Sequence, residues 1–138
     1  MLINRFGLSG YRESIKQLGV EFATSNGYGN CTAAEMAAML YDTAVYQGEH
    51  FAQMLDAGSN ASYNWQIGAE LKEHTVLQKY GALKPGNIAY HDIAAVYAPH
   101  PYIIVIYTTI DYDSANKNTP FRQISRLTEE VNNALYGE

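Results

Sequence analysis

Four stretches of the chain carry residues able to do chemistry. Ser114-Ala115-Asn116-Lys117 sets a hydroxyl three residues ahead of an amine, the spacing of a serine nucleophile served by a lysine. Ser62-Tyr63-Asn64 spells Ser-x-Asn, a second hydroxyl two residues before an amide. Each match rests on two fixed letters. The first also falls in a turn-rich loop, and two fixed letters are a weak pattern, so both are expected to be chance matches. His91-Asp92 offers an acid and a base side by side, but neighbours on a strand point to opposite faces, and a structural or surface role is expected. The fourth stretch, Lys79-Tyr80-Gly81-Ala82, puts a cation, a phenol and a glycine in a row. Taken alone, Lys79 reads as a solvated strand lysine and Tyr80 as either a wall residue or a pocket-lining one. Metal chemistry has little support, because His50, His74, His91 and His100 show no helical i, i+4 pair. The single cysteine, Cys31, excludes an internal disulfide or a cysteine metal cluster, and a small packed thiol is expected there. No cofactor is implied.

The elements that must position these residues centre on 76–110. Three runs rich in Val, Ile, Tyr and Thr, at 76–82, 88–98 and 102–110, are separated by Leu83-Lys84-Pro85-Gly86-Asn87 and Pro99-His100-Pro101. This predicts an antiparallel three-strand meander, since the connections are too short for parallel crossovers. Residues 102–110 scarcely alternate, which predicts burial on both faces. In a meander that run pairs with the middle run only, so its other edge lacks an obvious partner.

Upstream the pattern is helical. Residues 8–18 carry Tyr11, Ile15 and Leu18 on one face, with Gly19 placed to stop the helix. Residues 20–31 read as a loop. Thr32-Ala33-Ala34-Glu35 is a capping box opening a helix whose apolar face is Ala33, Met36, Ala37, Leu40 and Ala44. Gly48 should break it, with a short helix over 49–57 ending at Gly58 and a further piece at 65–71, where Trp65 is expected to anchor a core or junction. After the meander, Pro120 opens a terminal helix. Its apolar residues Phe121, Ile124, Leu127, Val131 and Leu135 are expected to cover one face of the sheet. The fold class is therefore α+β: helical segments, a three-stranded antiparallel meander and a C-terminal helix. Residues 1–75 form the helical part and 76–138 the sheet and terminal helix of the same domain.

The totals narrow the partners. A formal charge of -5 with nine Lys and Arg gives no basic stripe, which argues against nucleic acid. No apolar run approaches the roughly 20 residues needed to span a bilayer. The first residues lack the layout of a secretory signal, so the chain is either cytoplasmic or cut from a longer exported one, and localisation stays open. Twelve tyrosines are many for 138 residues and are expected mainly as half-buried wall residues.

Lys79-Tyr80-Gly81, the two strands that follow and a last helix bearing Phe121-Arg122-Gln123-Ile124 give the chain a resemblance to the C-terminal part of the penicillin-recognising serine hydrolases. Class A β-lactamases and their transpeptidase-like relatives are the nearest pattern. The run Ile103-Ile104-Val105-Ile106-Tyr107-Thr108-Thr109 resembles the family's last strand, and residues 2–19 and 32–44 resemble its helical subdomain. The resemblance covers nearly the whole chain and implies an incomplete β-lactamase/transpeptidase-like fold, with the upstream catalytic part absent. It also implies a serine acyl-enzyme mechanism acting on a β-lactam or a D-Ala-D-Ala cell-wall peptide. The substrate would lie along the third-motif strand as an added strand. In that scheme Lys79 supplies positive charge to the substrate carboxylate, Tyr80 stands where a small hydroxyl is usual, Gly81 lets substrate backbone approach, and the Ala82 N–H is an oxyanion donor.

This sequence departs from that pattern in several places. Tyr80 replaces Thr or Ser, residues 20–31 hold no Glu-x-x-Leu-Asn segment, and Tyr90-His91-Asp92 offers no arginine. No catalytic residue is assigned within the chain. Two readings follow: a serine-hydrolase portion that is inactive alone, or a non-catalytic binding or assembly module that retains part of the fold. Both predict that the apolar edge at 102–110 recruits a partner, either a second copy in a homodimer or a complementing N-terminal half.

Overall fold

The computed structural model describes residues 2–17, 23–25, 28–46, 48–62, 64–83 and 89–137. These divide into two units, Met1–Val45 and Tyr46–Glu138. The boundary at 75/76 drawn from the sequence falls inside the second unit.

In the first unit, α1 (Leu2–Gln17) is two helical segments joined at Gly7, whose φ of 69° and ψ of 169° interrupt the helix. A positive φ is open to glycine without a Cβ penalty, which explains the break. The helix thus begins earlier than the expected residue 8, while its expected end at Leu18 and Gly19 lies outside the described residues. Residues 20–31, expected as a loop, contain a short antiparallel hairpin of β1 (Ala23–Ser25) and β2 (Tyr28–Asn30), with Ser25 opposite Tyr28. Asn26-Gly27, the two residues between the strands, is the strongest short-range hairpin signal a sequence carries, and reading the segment as loop overlooked it. The helix α2 (Ala33–Val45) opens as its capping box requires. The Thr32 N–H donates to Glu35 Oε2 at 2.7 Å, and the Glu35 N–H donates to Thr32 Oγ1 at 3.2 Å.

The second unit starts with α3 (Phe51–Ser59) and a 3-10 turn, Ile67–Ala69. The strands β3 (Thr75–Leu83), β4 (Ala89–Tyr97) and β5 (Tyr102–Thr108) form one antiparallel sheet in that order, and α4 (Thr119–Tyr136) follows. The predicted meander and α+β layout are borne out. Strand register sorts the side chains between two faces. Gln78, Ala94 and Ile104 stand opposite one another, as do Tyr80, Asp92 and Ile106, and this face meets Phe121, Ile67 and Leu71 in the core. On the other face lie Leu77, Ala95 and Ile103, then Lys79, Ile93 and Val105. Here α3 packs on β3, with Gly58 so close to Leu77 that a Cβ would meet Leu77 Cδ1 at 2.0 Å.

Three expectations need correction. First, β5 is not buried on both faces: Ile104 and Ile106 are buried, whereas Ile103, Val105 and Tyr107 are half-buried. The helix on the Leu77 face packs against β3, two strands away from β5. Second, α4 does not turn its apolar stripe to the sheet. Its buried residues are Phe121, Ser125 and Asn132, while Ile124, Leu127, Val131 and Leu135 are exposed. Hydrogen bonding sets that rotation, since Ser125 Oγ donates to Ile67 O at 2.9 Å and Asn132 Nδ2 donates to His100 O at 3.1 Å. Third, Trp65 is 57% exposed, its Nε1 donating to Ser62 O at 3.2 Å, so it anchors no core.

Candidate functional site

The β3 segment Lys79 to Ala82 reaches the site because nine consecutive residues, Thr75 to Leu83, pair with Tyr97 back to Ala89. Among the described residues β3 pairs with β4 alone, which makes it an edge strand of the sheet. Lys79, Tyr80, Gly81 and Ala82 line an open depression of ≈ 550 Å³ together with Tyr112, which follows β5. The four residues named from the sequence thus share one hollow. Tyr112 was missed because it lies 30 residues downstream in a turn; only its Asp111-Tyr112-Asp113 setting marked it out.

The strand alternates through this hollow. Lys79 is exposed, and its Nζ donates to Tyr80 O and lies 4.9 Å from the Tyr80 ring centroid. Tyr80 and Ala82, on the core face, are half-buried. A Cβ added at Gly81 would have nothing within 4 Å, leaving room beside the backbone. Tyr112 is held from below: its ring meets Tyr90 edge-on at 5.5 Å, Tyr90 in turn meets Phe121 at 5.3 Å, and Lys117 Nζ lies 3.9 Å over the Tyr112 ring. Tyr90 OH donates to Asn118 Oδ1 at 2.8 Å. Burial, with the neighbouring Tyr112 and Asp92, raises the Tyr90 phenol above its ordinary value.

Beneath Tyr80 is Asp92, fully buried on the same face. Its Oδ2 accepts the Ile67 N–H at 3.0 Å and its Oδ1 accepts the Ile93 N–H at 3.1 Å, so the carboxylate ties the 3-10 turn to the sheet. Burial pushes the carboxyl up to about 6, against the pull of those two N–H groups and the charge of Lys79. His91 points to the opposite face, its ring 4.5 Å from that of Tyr107 and its Nδ1 accepting the Thr108 N–H at 3.0 Å. The two therefore form no acid/base pair, as their adjacency on a strand required.

The serine patterns find no catalytic geometry. Ser114 is exposed in a turn, its N–H on Asp111 O and its carbonyl accepting from Lys117 N. Lys117 Nζ donates instead to Tyr112 O at 2.6 Å. In Ser62-Tyr63-Asn64, Ser62 O accepts from Trp65 and Asn64 Oδ1 accepts from Gln78 Nε2, which is structural bonding. Tyr63 lies outside the described residues. Among the described residues there is no group of three or more metal-ligating side chains, and no helix is long and apolar enough to cross a membrane.

A family model for the Beta-lactamase enzyme family matches residues 1–135. The chain belongs to the Beta-lactamase enzyme family. Solved structures agree in fold. An ancestral (GNCA) class A β-lactamase superposes with a TM-score of 0.75 at 21% identity, over 94% of this chain and 58% of that one. A class A β-lactamase from Mycobacterium abscessus gives 0.72 at 17% identity, over 94% and 57%. The last common ancestor of Gram-negative bacteria class A β-lactamase (GNCA4) gives 0.73 at 18%, over 91% and 55%. No curated protein matches the chain. This member of the Beta-lactamase enzyme family is thus related to the serine hydrolases and carries a partial class A fold, spanning a little over half the length of the structures it superposes on.

Proposed function

We propose that this chain supplies the substrate-carboxylate strand of a β-lactam or D-Ala-D-Ala peptide site and performs no acyl transfer by itself. One observation carries the reading: Lys79 to Ala82 line an open hollow on an edge strand of the sheet, where an extended ligand can lie along β3 with its carboxylate near the ammonium. Gly81 leaves space for ligand backbone, and Lys79 is exposed to meet a negative charge. Inactivity is supported by the exposed turn at Ser114 and by Lys117, whose amine is bonded to Tyr112 O.

A second reading, a binding or assembly module without chemistry, is favoured by Tyr80. Its phenol is half-buried against the core where the family pattern has a small hydroxyl, and with Tyr112 it makes the hollow an aromatic one.

The experiment is titration of the 15N-labelled chain with benzylpenicillin, followed by intact-mass analysis. Saturable shifts confined to Lys79–Ala82 and Tyr112, weakened at least tenfold by Lys79→Ala, with no added mass, are expected. A covalent adduct would refute the inactivity, and unmoved β3 signals would refute the carboxylate strand in favour of the module.

A further inference from the structure

We propose that His74 is the general base of a second site, a small polar hollow ahead of β3 that hydrolyses aryl esters carrying a carboxylate. The hollow shares no lining residue with the one at Lys79, so the proposal is independent of the β-lactam reading.

Side chains from two elements converge on Glu129 of α4. From β5, the Tyr102 hydroxyl donates to Glu129 Oε2 at 2.7 Å. From the turn closed by the His74 N–H on Leu71 O, His74 Nε2 lies 2.7 Å from Glu129 Oε1. The imidazole and the carboxylate are 16% and 19% exposed, so their bond is largely sheltered from water. The chemistry of this chain of groups fixes its protons. Although burial opposes it, the bonds from Tyr102 and His74 hold Glu129 below 4.5, so at neutral pH it is a carboxylate and can only accept. Burial and the bond to that carboxylate raise the Tyr102 phenol, which keeps its proton. Nε2 must therefore be the protonated nitrogen, and in the neutral imidazole the lone pair falls on Nδ1. No hydrogen bond reaches Nδ1 from the described residues. A carboxylate behind an imidazole orients the ring and stabilises the cation formed when the ring takes a proton, which is what makes a histidine an effective base.

The free nitrogen has a cavity to serve. With Ser59, Asn60, Lys72 and Thr75, His74 lines a hollow of ≈ 330 Å³, within the size of small-molecule sites. Several polar groups of its wall are already engaged: Asn60 Nδ2 donates to Asp56 Oδ1 at 2.7 Å, Ser59 Oγ donates to Asp56 O at 3.3 Å, and Asn64 Oδ1 accepts from Gln78. Lys72 differs. It is exposed and forms no ion pair among the described residues, so its ammonium is the charge a ligand carboxylate meets. Of the nearby acids, Asp56 is bonded to Asn60, and Glu70 and Glu73 are exposed and outside the lining. The ligand class combines an anion for Lys72 with an ester carbonyl beside a water bonded to Nδ1. Aryl esters suit such a site, because a phenolate leaves without a strong acid to help it.

In the step, Nδ1 takes a proton from water as the water oxygen bonds to the carbonyl carbon. The bond from that carbon to the phenol oxygen then breaks, and the departing phenolate recovers the proton from the imidazolium. Ester and water become acid and phenol, with no other reactant.

The test is hydrolysis of para-acetoxybenzoate by the full chain, with equimolar imidazole as reference. Turnover about 100-fold above imidazole is expected, rising with pH as the ring loses its proton. His74→Gln should abolish it. Glu129→Gln should lower kcat about tenfold at constant KM, and Lys72→Ala should raise KM about tenfold at constant kcat, each variant keeping the circular dichroism of wild type. His50→Ala, at an exposed histidine outside the hollow, should change neither constant. A long-range 1H–15N spectrum of the wild type reads the ring without any variant: His74 should show Nε2–H and a bare Nδ1, both moved saturably by para-hydroxybenzoate. A rate no greater than that of imidazole, a rate that survives His74→Gln, a single acetylation without turnover, or His74 signals that show Nδ1–H or ignore para-hydroxybenzoate would each overturn the proposal.

Discussion

Asp92 ties two elements together through a carboxylate that burial makes reluctant to ionise, and this has a measurable pH signature. Its carboxyl is raised from 3.8 to about 6 on folding, with burial as the main cause. Between those values the folded chain holds a proton that the unfolded chain has released. Asp92 therefore favours folding most at low pH, and its contribution declines as pH rises from about 4 to 6, after which it is level. Roughly two units at about 1.36 kcal/mol each amount to about 3 kcal/mol. Replacing Asp92 by Asn removes the titration. The amide oxygen can still accept the Ile67 N–H, but the amide nitrogen then faces the Ile93 N–H, an uncompensated donor costing about 1–3 kcal/mol at every pH. The variant is thus expected to be less stable than wild type at pH 3.5 and to gain about 3 kcal/mol relative to it by pH 7, reaching parity or better. Urea unfolding of both proteins at half-unit steps from pH 3.5 to 8 measures the difference. Because other groups titrate in both chains, only the difference curve isolates Asp92. Parallel curves across that range would refute the reasoning.

Three other perturbations test the packing of α4. Glu129 has the opposite sign: burial alone would raise its carboxyl, but the bonds from Tyr102 and His74, the His74 charge and Asn133 outweigh it and hold it below 4.5. Its contribution is present above that unfolded value and lost as pH falls through the folded one, so Glu129→Gln should cost about 1–3 kcal/mol at pH 7 and less at pH 3, read by thermal unfolding. Ser125→Ala removes the donor to Ile67 O in a fully buried site and should cost about 1–3 kcal/mol, whereas Phe121→Ala, emptying the centre of the Tyr90 cluster, should cost about 3–5 kcal/mol; urea midpoints at constant slope would rank them.

Much of this organisation was legible in the residues. The meander followed from Pro and Gly punctuation between β-branched runs, and the α2 start from Thr32 and Glu35, because both depend on interactions a few residues apart. The helix–strand order and the Lys79 to Ala82 segment were enough to point to the family. Reading residues 20–31 as a loop was an error of another kind, since Asn26-Gly27 was a local signal that went unused.

Less legible were the features that depend on what an element packs against. Periodicity identified Phe121, Ile124, Leu127, Val131 and Leu135 as one apolar set, yet α4 buries Ser125 and Asn132 and leaves most of that set in solvent. Hydropathy sees a hydroxyl and an amide as polar, and cannot see that Ile67 O and His100 O wait for their donors. Asp92 is a further case: nothing local marks a carboxylate as buried, because its burial comes from a turn 25 residues upstream whose N–H group it accepts. Local chemistry thus determined which segments become helix or strand and which family they suggest. The rotation of α4 and the ionisation of Asp92 were decided only when distant backbone groups claimed their hydrogen-bond partners, and the hollow only when the Tyr112 ring packed on Tyr90.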